Sequence, residues 1–374
     1  MNPDDGSVQD MEQNMYMEAV KFYESELKEL RLDRSDDPEN LKRKVEILVA
    51  LAETNQNLGQ WDTAIGYFNE AISLDEYIED VETRVKLAWK VGNIYSERNE
   101  WDLAMEHYNK AQELASKFDE IGKAEIFRGI GRVKWRNGDY DSAIDYFERS
   151  VKEAEEIEDF QLVSDGLVDI GNIHSEKGSH EEASKYYHNA LEILKGKGYY
   201  YHMPRIYNNL GDLYLKQGLY DKASEYFQKC IENSEQTGNA RMLGYGMANA
   251  GELMARQGNY ELAYEYCNGA LKIFTKTNER YMIALVYMTF GIIHRDKEEW
   301  DQAEDSFNKS IDLLTEIEIP YYRGDSLFEL AIMFANKGDL GSANDRMEQA
   351  IESWEKVGAT KKIEKARSIL EGFK

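Results

Sequence analysis

An alanine recurs along this chain at an almost constant spacing of 40 residues. The eight alanines are Ala64, Ala104, Ala143, Ala183, Ala223, Ala263, Ala303 and Ala343, and one of the seven intervals is 39 residues long. A fixed period of this length indicates tandem copies of one supersecondary unit, which stack on one another to bury a shared core. The period therefore constrains the fold before any single residue is considered.

Two columns of small residues keep the same spacing. Twelve residues before the alanines stand Ala52, Gly92, Gly131, Gly171, Gly211, Gly251, Gly291 and Ala331. Five residues before the alanines stand Gly59, Gly138, Gly178, Gly218, Gly258 and Gly338, with Asn99 and Glu298 in the two remaining copies. A small residue lets two helices approach closely, and a glycine favours the positive φ that ends a helix.

The apolar positions complete a helical hairpin in each repeat. Residues 16 and 13 positions before the alanine are mostly apolar, as at Leu167 and Ile170, and form an amphipathic first helix. An acidic residue such as Asp141 marks the start of the second helix, which buries the alanine and the residue four positions later. The expected fold is all-α, a right-handed α-solenoid of eight tandem helix hairpins.

These columns resemble the tetratricopeptide repeat, whose pattern is W-x2-L-G-x2-Y…A-x3-F. The resemblance covers roughly residues 41–358, although the usual repeat is about 34 residues long and its closing proline is absent here. Forty-residue versions look like those of Pins-type adaptors and of the Rap family of bacterial peptide-responsive regulators. The resemblance implies a domain that binds proteins.

The repeats suggest three parts of the chain. Residues 1–40 are expected to form an N-terminal tail and a capping helix at 14–31, followed by a linker at 35–40. Residues 41–358 hold the eight repeats. Residues 359–374 are expected to form a C-terminal capping helix, because a solenoid needs half-polar ends. Its apolar face would consist of Ile363, Ala366, Ile369, Leu370 and Phe373.

The composition disfavours several classes of partner. A net charge of −26 and a pI near 4.7 oppose binding to nucleic acid and to anionic membranes. No stretch approaches the ~20 consecutive apolar residues that span a bilayer. The N-terminal residues lack the pattern of a secretory signal, so a cytoplasmic location is expected.

The sequence shows no pattern of catalysis. It contains neither a phosphate-binding loop of the Walker type nor an H-E-x-x-H motif. His174 and His294 fall in a column that the other repeats fill with core residues, and Cys230 and Cys267 also occupy core columns. We therefore predict that the protein is not an enzyme and that it needs no cofactor and no metal.

The resemblance implies that the first helices line a concave groove, through positions 15, 11 and 8 before each alanine. In the third repeat three arginines, Arg128, Arg132 and Arg136, follow one another at four-residue intervals. The neighbouring candidates are Lys86, Trp89, Asn93, Asn172, Arg205, Asn208 and Asn209. Arginine binds carboxylates bidentately, so this surface is expected to hold an acidic or C-terminal segment of a partner. The alternative is a structural ladder in which the arginines pair with the protein's own Asp and Glu.

A second candidate surface is apolar. In the last two repeats the inward positions are Met288, Ile292, Phe328 and Ile332. An exposed apolar stretch of this size usually marks an interface. The alternative is that the C-terminal capping helix covers it.

Three functions are compatible with these surfaces. The first is an adaptor or scaffold that binds a peptide segment of a partner protein in its concave groove. The second is a regulatory receptor for a short signal peptide, and the third is a self-associating structural scaffold. The sequence leaves the oligomeric state open.

Overall fold

The structure, a computed structural model, describes residues 5–32, 37–58, 60–74, 81–98, 100–116 and 122–372. Within these ranges every regular element is a helix, which confirms the predicted all-α class. The chain falls into two compact units, residues 1–179 and residues 180–374.

Unit 1 consists of a long first helix and of helices that follow one another through the first repeats. Its helices are α1 (Asp5–Leu32), α2 (Pro38–Asn57), α3 (Trp61–Ser73), α4 (Val81–Glu97), α5 (Trp101–Ala115), α6 (Lys123–Arg136), α7 (Tyr140–Glu156) and α8 (Phe160–Glu176).

Unit 2 continues the same pattern and adds one 3₁₀ turn at Tyr200–His202. Its helices are α9 (His180–Lys197), α10 (Met203–Lys216), α11 (Tyr220–Thr237), α12 (Ala240–Arg256), α13 (Tyr260–Lys276), α14 (Arg280–Asp296), α15 (Trp300–Glu316), α16 (Pro320–Lys337), α17 (Leu340–Glu355) and α18 (Thr360–Gly372). Helices α2 to α17 thus supply the two helices of each of the eight predicted repeats.

The alanine column is the centre of each hairpin. All eight alanines are fully buried. The first helix of a hairpin approaches this point closely, because a Cβ on Gly211 would lie 2.4 Å from the ring of Phe227, and one on Gly131 would lie 2.7 Å from the ring of Phe147. The aromatic residue four positions after the alanine therefore lies directly on the glycine of the first helix, as the column spacing predicted.

A second set of glycines, which the repeat columns did not single out, allows neighbouring repeats to pack. A Cβ on Gly166 of α8 would lie 2.6 Å from the side chain of Val151 on α7. A Cβ on Gly246 of α12 would lie 2.9 Å from Cys230 Sγ on α11. Both glycines stand 17 positions before their alanine, so contacts between repeats recur in register as well.

The helices end in turns that recur every 20 residues. From position 138 to position 358, each twentieth residue has a positive φ, and the series is Gly138, Glu158, Gly178, Gly198, Gly218, Gly238, Gly258, Asn278, Glu298, Glu318, Gly338 and Gly358. At the first turn of the series, Gly138 N–H donates to Trp135 O and Asp139 N–H donates to Lys134 O, which closes the helix. The next helix begins almost at once, because Asp139 caps α7 by accepting from Ser142 N. A 40-residue repeat is therefore two helix-and-turn modules of equal length.

Replacing Glu158 with glycine is expected to raise the free energy of unfolding by about 0.5–1 kcal/mol, because glycine tolerates φ of +57° better than glutamate. The matched control is Glu158→Ala, which removes the same charge but keeps a Cβ. Urea denaturation of both variants checks the expectation. If glycine and alanine stabilise the protein equally, the effect comes from removing the charge of Glu158, and the positive φ does not destabilise the fold.

The helices at the two ends of the described chain differ in their bounds from the predicted capping helices. The predicted helix at 14–31 lies inside the longer α1, which places Leu27 in the core of the first repeat. Helix α2 already begins at Pro38, inside the predicted linker, and Asp37 is its N-cap. Residues 33–36 and Phe373 lie outside the described residues. At the other end, α18 buries Ala366 fully.

Candidate functional site

Arg128 is half-buried in unit 1 and is paired with the chain's own carboxylates. Its Nε donates to Asp169 Oδ2 at 2.7 Å and its Nη1 donates to Asp165 Oδ2 at 2.9 Å, both on α8. Burial by itself would lower the pKa of Arg128, but the nearby charges of Asp169 and Asp165 outweigh it and raise the pKa. For this arginine the structure shows the internal pairing that the sequence had left as the alternative.

The other two arginines of α6 differ from Arg128. Arg132 is half-buried and makes no ion pair with the residues that the structure describes. Arg136 is exposed, and its guanidinium lies 5.7 Å from the ring of Trp101 and 6.0 Å from the ring of Trp135. A guanidinium at these distances is attracted to the faces of the rings. We call the surface of α6 that carries Arg132 and Arg136 the arginine face, and Arg128 is not part of it because Asp165 and Asp169 hold its guanidinium.

The remaining candidates of unit 1 lie on neighbouring first helices. Asn93 of α4 accepts from the hydroxyl of Tyr108 at 2.6 Å. Lys86 Nζ is 3.9 Å from Glu53 Oε1, and Trp89 packs half-buried against the core of its repeat. Asn172 of α8 is half-buried.

The candidates Arg205, Asn208 and Asn209 all lie on α10 of unit 2 and are half-buried. Asn208 Oδ1 accepts from Asn249 Nδ2 of α12 at 2.9 Å. Successive first helices are therefore linked by amide side chains as well as by apolar packing.

A cavity of about 330 Å³ opens among the first helices of unit 2. Met288 and Ile292 of α14 and Phe328 of α16 contribute to its walls, and these are three of the four predicted apolar residues. Ile332 does not line the cavity but packs half-buried into the same apolar cluster. Residues from several helices thus line one partly open cavity, which only the tertiary structure reveals.

Charged side chains surround the cavity, and one of them, Glu252, stands in an inward column of the repeat, 11 positions before Ala263. Glu252 and Arg256 come from α12, and Asp325 and Glu329 come from α16. Burial raises the pKa of Asp325, while the ammonium of Lys362 beside it acts in the opposite direction. No motif marks these residues as a site, because they come together only where α12, α14 and α16 lie side by side.

The C-terminal helix α18 borders the cavity without filling it. Lys362 Nζ donates a hydrogen bond to Asp325 Oδ2 at 2.7 Å, and Lys365 Nζ lies 5.2 Å from the centroid of the Phe328 ring. Ile363 of the same helix packs into the cluster that contains Phe328 and Ile332. The capping helix therefore covers part of the apolar surface and leaves the cavity beside it.

The cysteines and one histidine occupy the core positions that their columns predicted. Cys230 and Cys267 are fully buried and free, and burial raises the pKa of both thiols to about 12. His294 is largely buried at the end of α14, where its Nδ1 lies 2.6 Å from Glu299 Oε2.

We expect iodoacetamide to leave both cysteines unmodified in the native protein at pH 8.5, because the thiolate is the nucleophile and their pKa lies far above this pH. In denaturant both should react, since an exposed thiol has a pKa of about 8.5. Intact-mass spectrometry counts the adducts. Rapid labelling of the native protein would contradict the buried positions of these thiols.

Neither a membrane-spanning helix nor a metal cluster occurs in the part of the chain that the structure describes. None of the helices in the described ranges combines the length and the apolarity that crossing a membrane requires. In the same ranges, no three His, Cys, Asp or Glu side chains are grouped so that they could hold a metal ion.

Comparison with solved structures shows fold likeness at low sequence identity. The apo form of the quorum sensor NprR from B. thuringiensis has a TM-score of 0.65 at 14% identity, over 92% of this chain and 98% of that one. The Rap conjugation gene regulator of the plasmid pLS20, in complex with the Phr* peptide, has a TM-score of 0.61 at 14% identity, over 92% of this chain and 96% of that one. At 14% identity, both similarities show a shared fold and nothing further.

The sequence comparisons identify the repeat. One curated relative, heat shock protein STI1 of Saccharomyces cerevisiae, is 27% identical over 101 residues, which are 27% of this chain and 16% of that protein. The match thus covers less than a fifth of the relative's length. Family models of the tetratricopeptide repeat match residues 83–156, 163–236 and 241–316, and further ones match 45–77 and 128–192. Since these matches cover more than half of its length, the chain belongs to the tetratricopeptide repeat family.

Proposed function

We propose that this protein is an adaptor that binds a peptide segment of a partner protein on the inward face of its first helices. The observation that supports the proposal most is the cavity beside Met288, Ile292 and Phe328. Its volume of about 330 Å³ falls at the lower end of the range of about 300–1,000 Å³ that is typical of ligand pockets. An apolar side chain of the peptide would fill this cavity as an anchor.

The surroundings of the cavity suit a peptide. Apolar walls would hold a side chain, while carboxylates and ammonium groups at the rim would accept from or donate to a peptide backbone. Interfaces gain most of their affinity from a few anchors buried in pockets, and polar contacts around them exclude water. A pocket of one or two side chains, bordered by polar groups, has this arrangement.

A second candidate function is a regulatory receptor for a short free peptide. It is favoured by the fold likeness to the Rap regulator that was solved in complex with the Phr* peptide, and to the quorum sensor NprR. The two candidates would use the same cavity. They differ in whether the natural ligand is a free peptide or a segment of a larger protein.

The arginine face of unit 1 is a separate proposed contact for an acidic segment. Arg132 supports this role best, because it makes no ion pair with the described residues, whereas Arg128 is held by Asp165 and Asp169. Losing Arg132 is expected to weaken binding of an acidic peptide roughly ten- to hundredfold, since a hydrogen bond to a charged group contributes about 1.5–3 kcal/mol.

We also propose that the protein is not an enzyme and that it works in the reducing cytoplasm. His174 and His294 lie in a column that the other repeats fill with core residues, and the two buried cysteines are free thiols. Neither proposal depends on the identity of the partner.

Selection from displayed random peptides tests the peptide-binding function, with one library that has free C-termini and one in which the peptide is internal. The strongest binders are then titrated by fluorescence anisotropy against Ile292→Glu, which would bury a charge in the cavity. We expect this variant to lose at least about tenfold in affinity. The control is Leu340→Glu, because Leu340 is an exposed apolar residue at the start of α17, away from the cavity lining.

The outcomes separate the alternatives. Equal affinities for Ile292→Glu and Leu340→Glu, with unchanged circular dichroism, would overturn the cavity as the peptide site. For acidic binders, Arg132→Ala is compared with Lys152→Ala, since Lys152 is an exposed lysine of α7. Equal losses in these two variants would remove the arginine face from the proposal.

A further inference from the structure

Three consecutive tyrosines form an exposed aromatic surface between α9 and α10. Tyr199, Tyr200 and Tyr201 are 40%, 50% and 53% exposed. Single exposed apolar residues are common on protein surfaces, whereas a group of adjacent ones marks an interaction site. We call residues 199–202 the tyrosine turn. None of them lines the cavity beside Met288, so this surface is separate from the proposed peptide site.

The tyrosine turn is held in one conformation by its backbone and by a buried side chain. His202 N–H donates to Tyr199 O at 3.2 Å and closes the 3₁₀ turn. Asn239 Nδ2 donates to Tyr201 O at 3.1 Å, and Asn239 is itself buried at the start of α12. The centroids of the His202 and Tyr201 rings are 5.5 Å apart. A surface that is ordered before binding loses less entropy when a partner docks, and a tyrosine side chain has few rotatable bonds.

The first tyrosine does not stabilise the helix that follows it. Asp159 and Asn239 stand 40 residues before and after Tyr199, and each caps the next helix by accepting from a backbone N–H three residues further on. Tyr199 makes no such hydrogen bond, and the loss of a helix cap typically costs about 1 kcal/mol. At this turn an exposed ring thus stands where the neighbouring repeats have a stabilising cap. The stability of the fold does not account for this exchange.

The charge around the tyrosine turn is opposite to that of the whole chain. Residues 193–211 contain no Asp or Glu, and they are the longest stretch of this kind in a sequence with 71 acids among 374 residues. The same stretch contains Lys195, Lys197 and Arg205. Lys195 is exposed and makes no ion pair with the residues that the structure describes. Tyrosines beside basic residues are complementary to an acidic partner, which the net charge of −26 would repel from most of this protein.

We infer that the tyrosine turn binds an acidic segment of a partner protein, with its three rings packed against the segment and Lys195 paired with the segment's carboxylates. The tyrosine hydroxyls would donate hydrogen bonds to the same carboxylates. Tyrosine is among the residues that contribute most of the binding energy at interfaces, and it does so where neighbouring contacts exclude water. The inference goes beyond the proposed function, because it does not depend on the cavity. An anionic membrane would also take up tyrosines and lysines, but the net charge of the chain opposes its approach.

The test begins with displayed random peptides that are selected on the wild-type protein and counter-selected on the triple variant Tyr199→Ser, Tyr200→Ser, Tyr201→Ser. We expect the selected peptides to be enriched in Asp and Glu. Thermal unfolding followed by circular dichroism should give the triple variant the same midpoint as wild type, because the three rings are exposed. A much lower midpoint would show that the tyrosines stabilise the fold, which contradicts the inference.

Fluorescence anisotropy then measures the affinity of the strongest selected peptide for single variants. Tyr200→Ser should weaken binding at least about tenfold, as expected for a tyrosine that contributes much of the binding energy. Lys195→Gln should weaken it roughly threefold at low ionic strength and less at high ionic strength, because salt screens an exposed pair. The controls are Tyr220→Ser and Lys272→Gln, which remove an exposed tyrosine and an exposed lysine elsewhere in unit 2 and should bind like wild type.

Three other results would overturn the inference. The first is a selection that enriches no acidic peptide, and the second is an equal affinity of Tyr200→Ser and Tyr220→Ser for the selected peptide. The third is co-sedimentation with vesicles that contain phosphatidylserine, by wild type and not by the triple variant, without binding of any acidic peptide. The turn would then contact a membrane surface. None of these results bears on the cavity, which Ile292→Glu tests separately.

Discussion

Replacing Arg128 with methionine is expected to lower the free energy of unfolding by about 1.5–3 kcal/mol, because it leaves two half-buried to buried carboxylates without their charged hydrogen-bond donor. Asp169, one of its two carboxylate partners, is only 6% exposed. Methionine keeps much of the apolar stem of arginine, so the loss reports the guanidinium and not the packing. Urea denaturation followed by circular dichroism measures the change.

Two further variants test whether the loss of stability comes from the broken ion pairs of Arg128. Arg132→Met removes a guanidinium from the same helix that makes no ion pair with the described residues, and it should change stability by less than about 1 kcal/mol. Adding Asp165→Asn and Asp169→Asn to Arg128→Met should recover part of the loss, since the carboxylates then no longer carry charge. If Arg128→Met is as stable as Arg132→Met, the ion pairs do not hold α6 to α8, and Arg128 returns to the set of arginines that are available to a ligand.

Replacing Gly211 with leucine is expected to destabilise unit 2 by about 3 kcal/mol, at the upper end of the usual range for overpacking. The Cβ of any side chain at position 211 would lie 2.4 Å from the ring of Phe227, and this ring is fully buried. The ring cannot leave without opening the hairpin of α10 and α11. Thermal unfolding followed by circular dichroism should show a lower midpoint.

A glycine in open surroundings provides the control. A Cβ on Gly66 of α3 would lie in open space, with no neighbouring side chain within 4 Å, so Gly66→Ala should raise stability slightly through helix propensity, by up to about 1 kcal/mol. Combining Gly211→Ala with Phe227→Leu should be less harmful than the sum of the two single changes, because each makes room for the other. A Gly211→Leu variant that melts like wild type would show that the two helices do not cross at this glycine.

The repeat spacing determined most of the architecture. The columns at Gly131, Gly211 and Ala143 predicted where the two helices of each hairpin meet, because close approach requires a small residue on one helix and a large one on the other. The same argument predicted burial of Cys230 and Cys267. It found only half of the twelve turns from 138 to 358, and three of the six others, at Glu158, Asn278 and Glu318, adopt positive φ without being glycine. At these positions the packing of the flanking helices fixes the backbone, and the side chain gives no signal.

The candidate site shows where the sequence by itself was insufficient. Helical phase grouped Met288, Ile292 and Phe328, and these three residues line one cavity, because phase depends only on position along a helix. The partner of a charge depends on which side chains of other helices come within reach, and the three arginines of α6 looked equivalent until α8 brought Asp165 and Asp169 to Arg128. Lys365 lies outside the repeat period altogether, so only the tertiary structure could bring its ammonium to the cavity. The local pattern thus determined which residues face inward, and the packing between helices decided which of their charges remain available to a ligand.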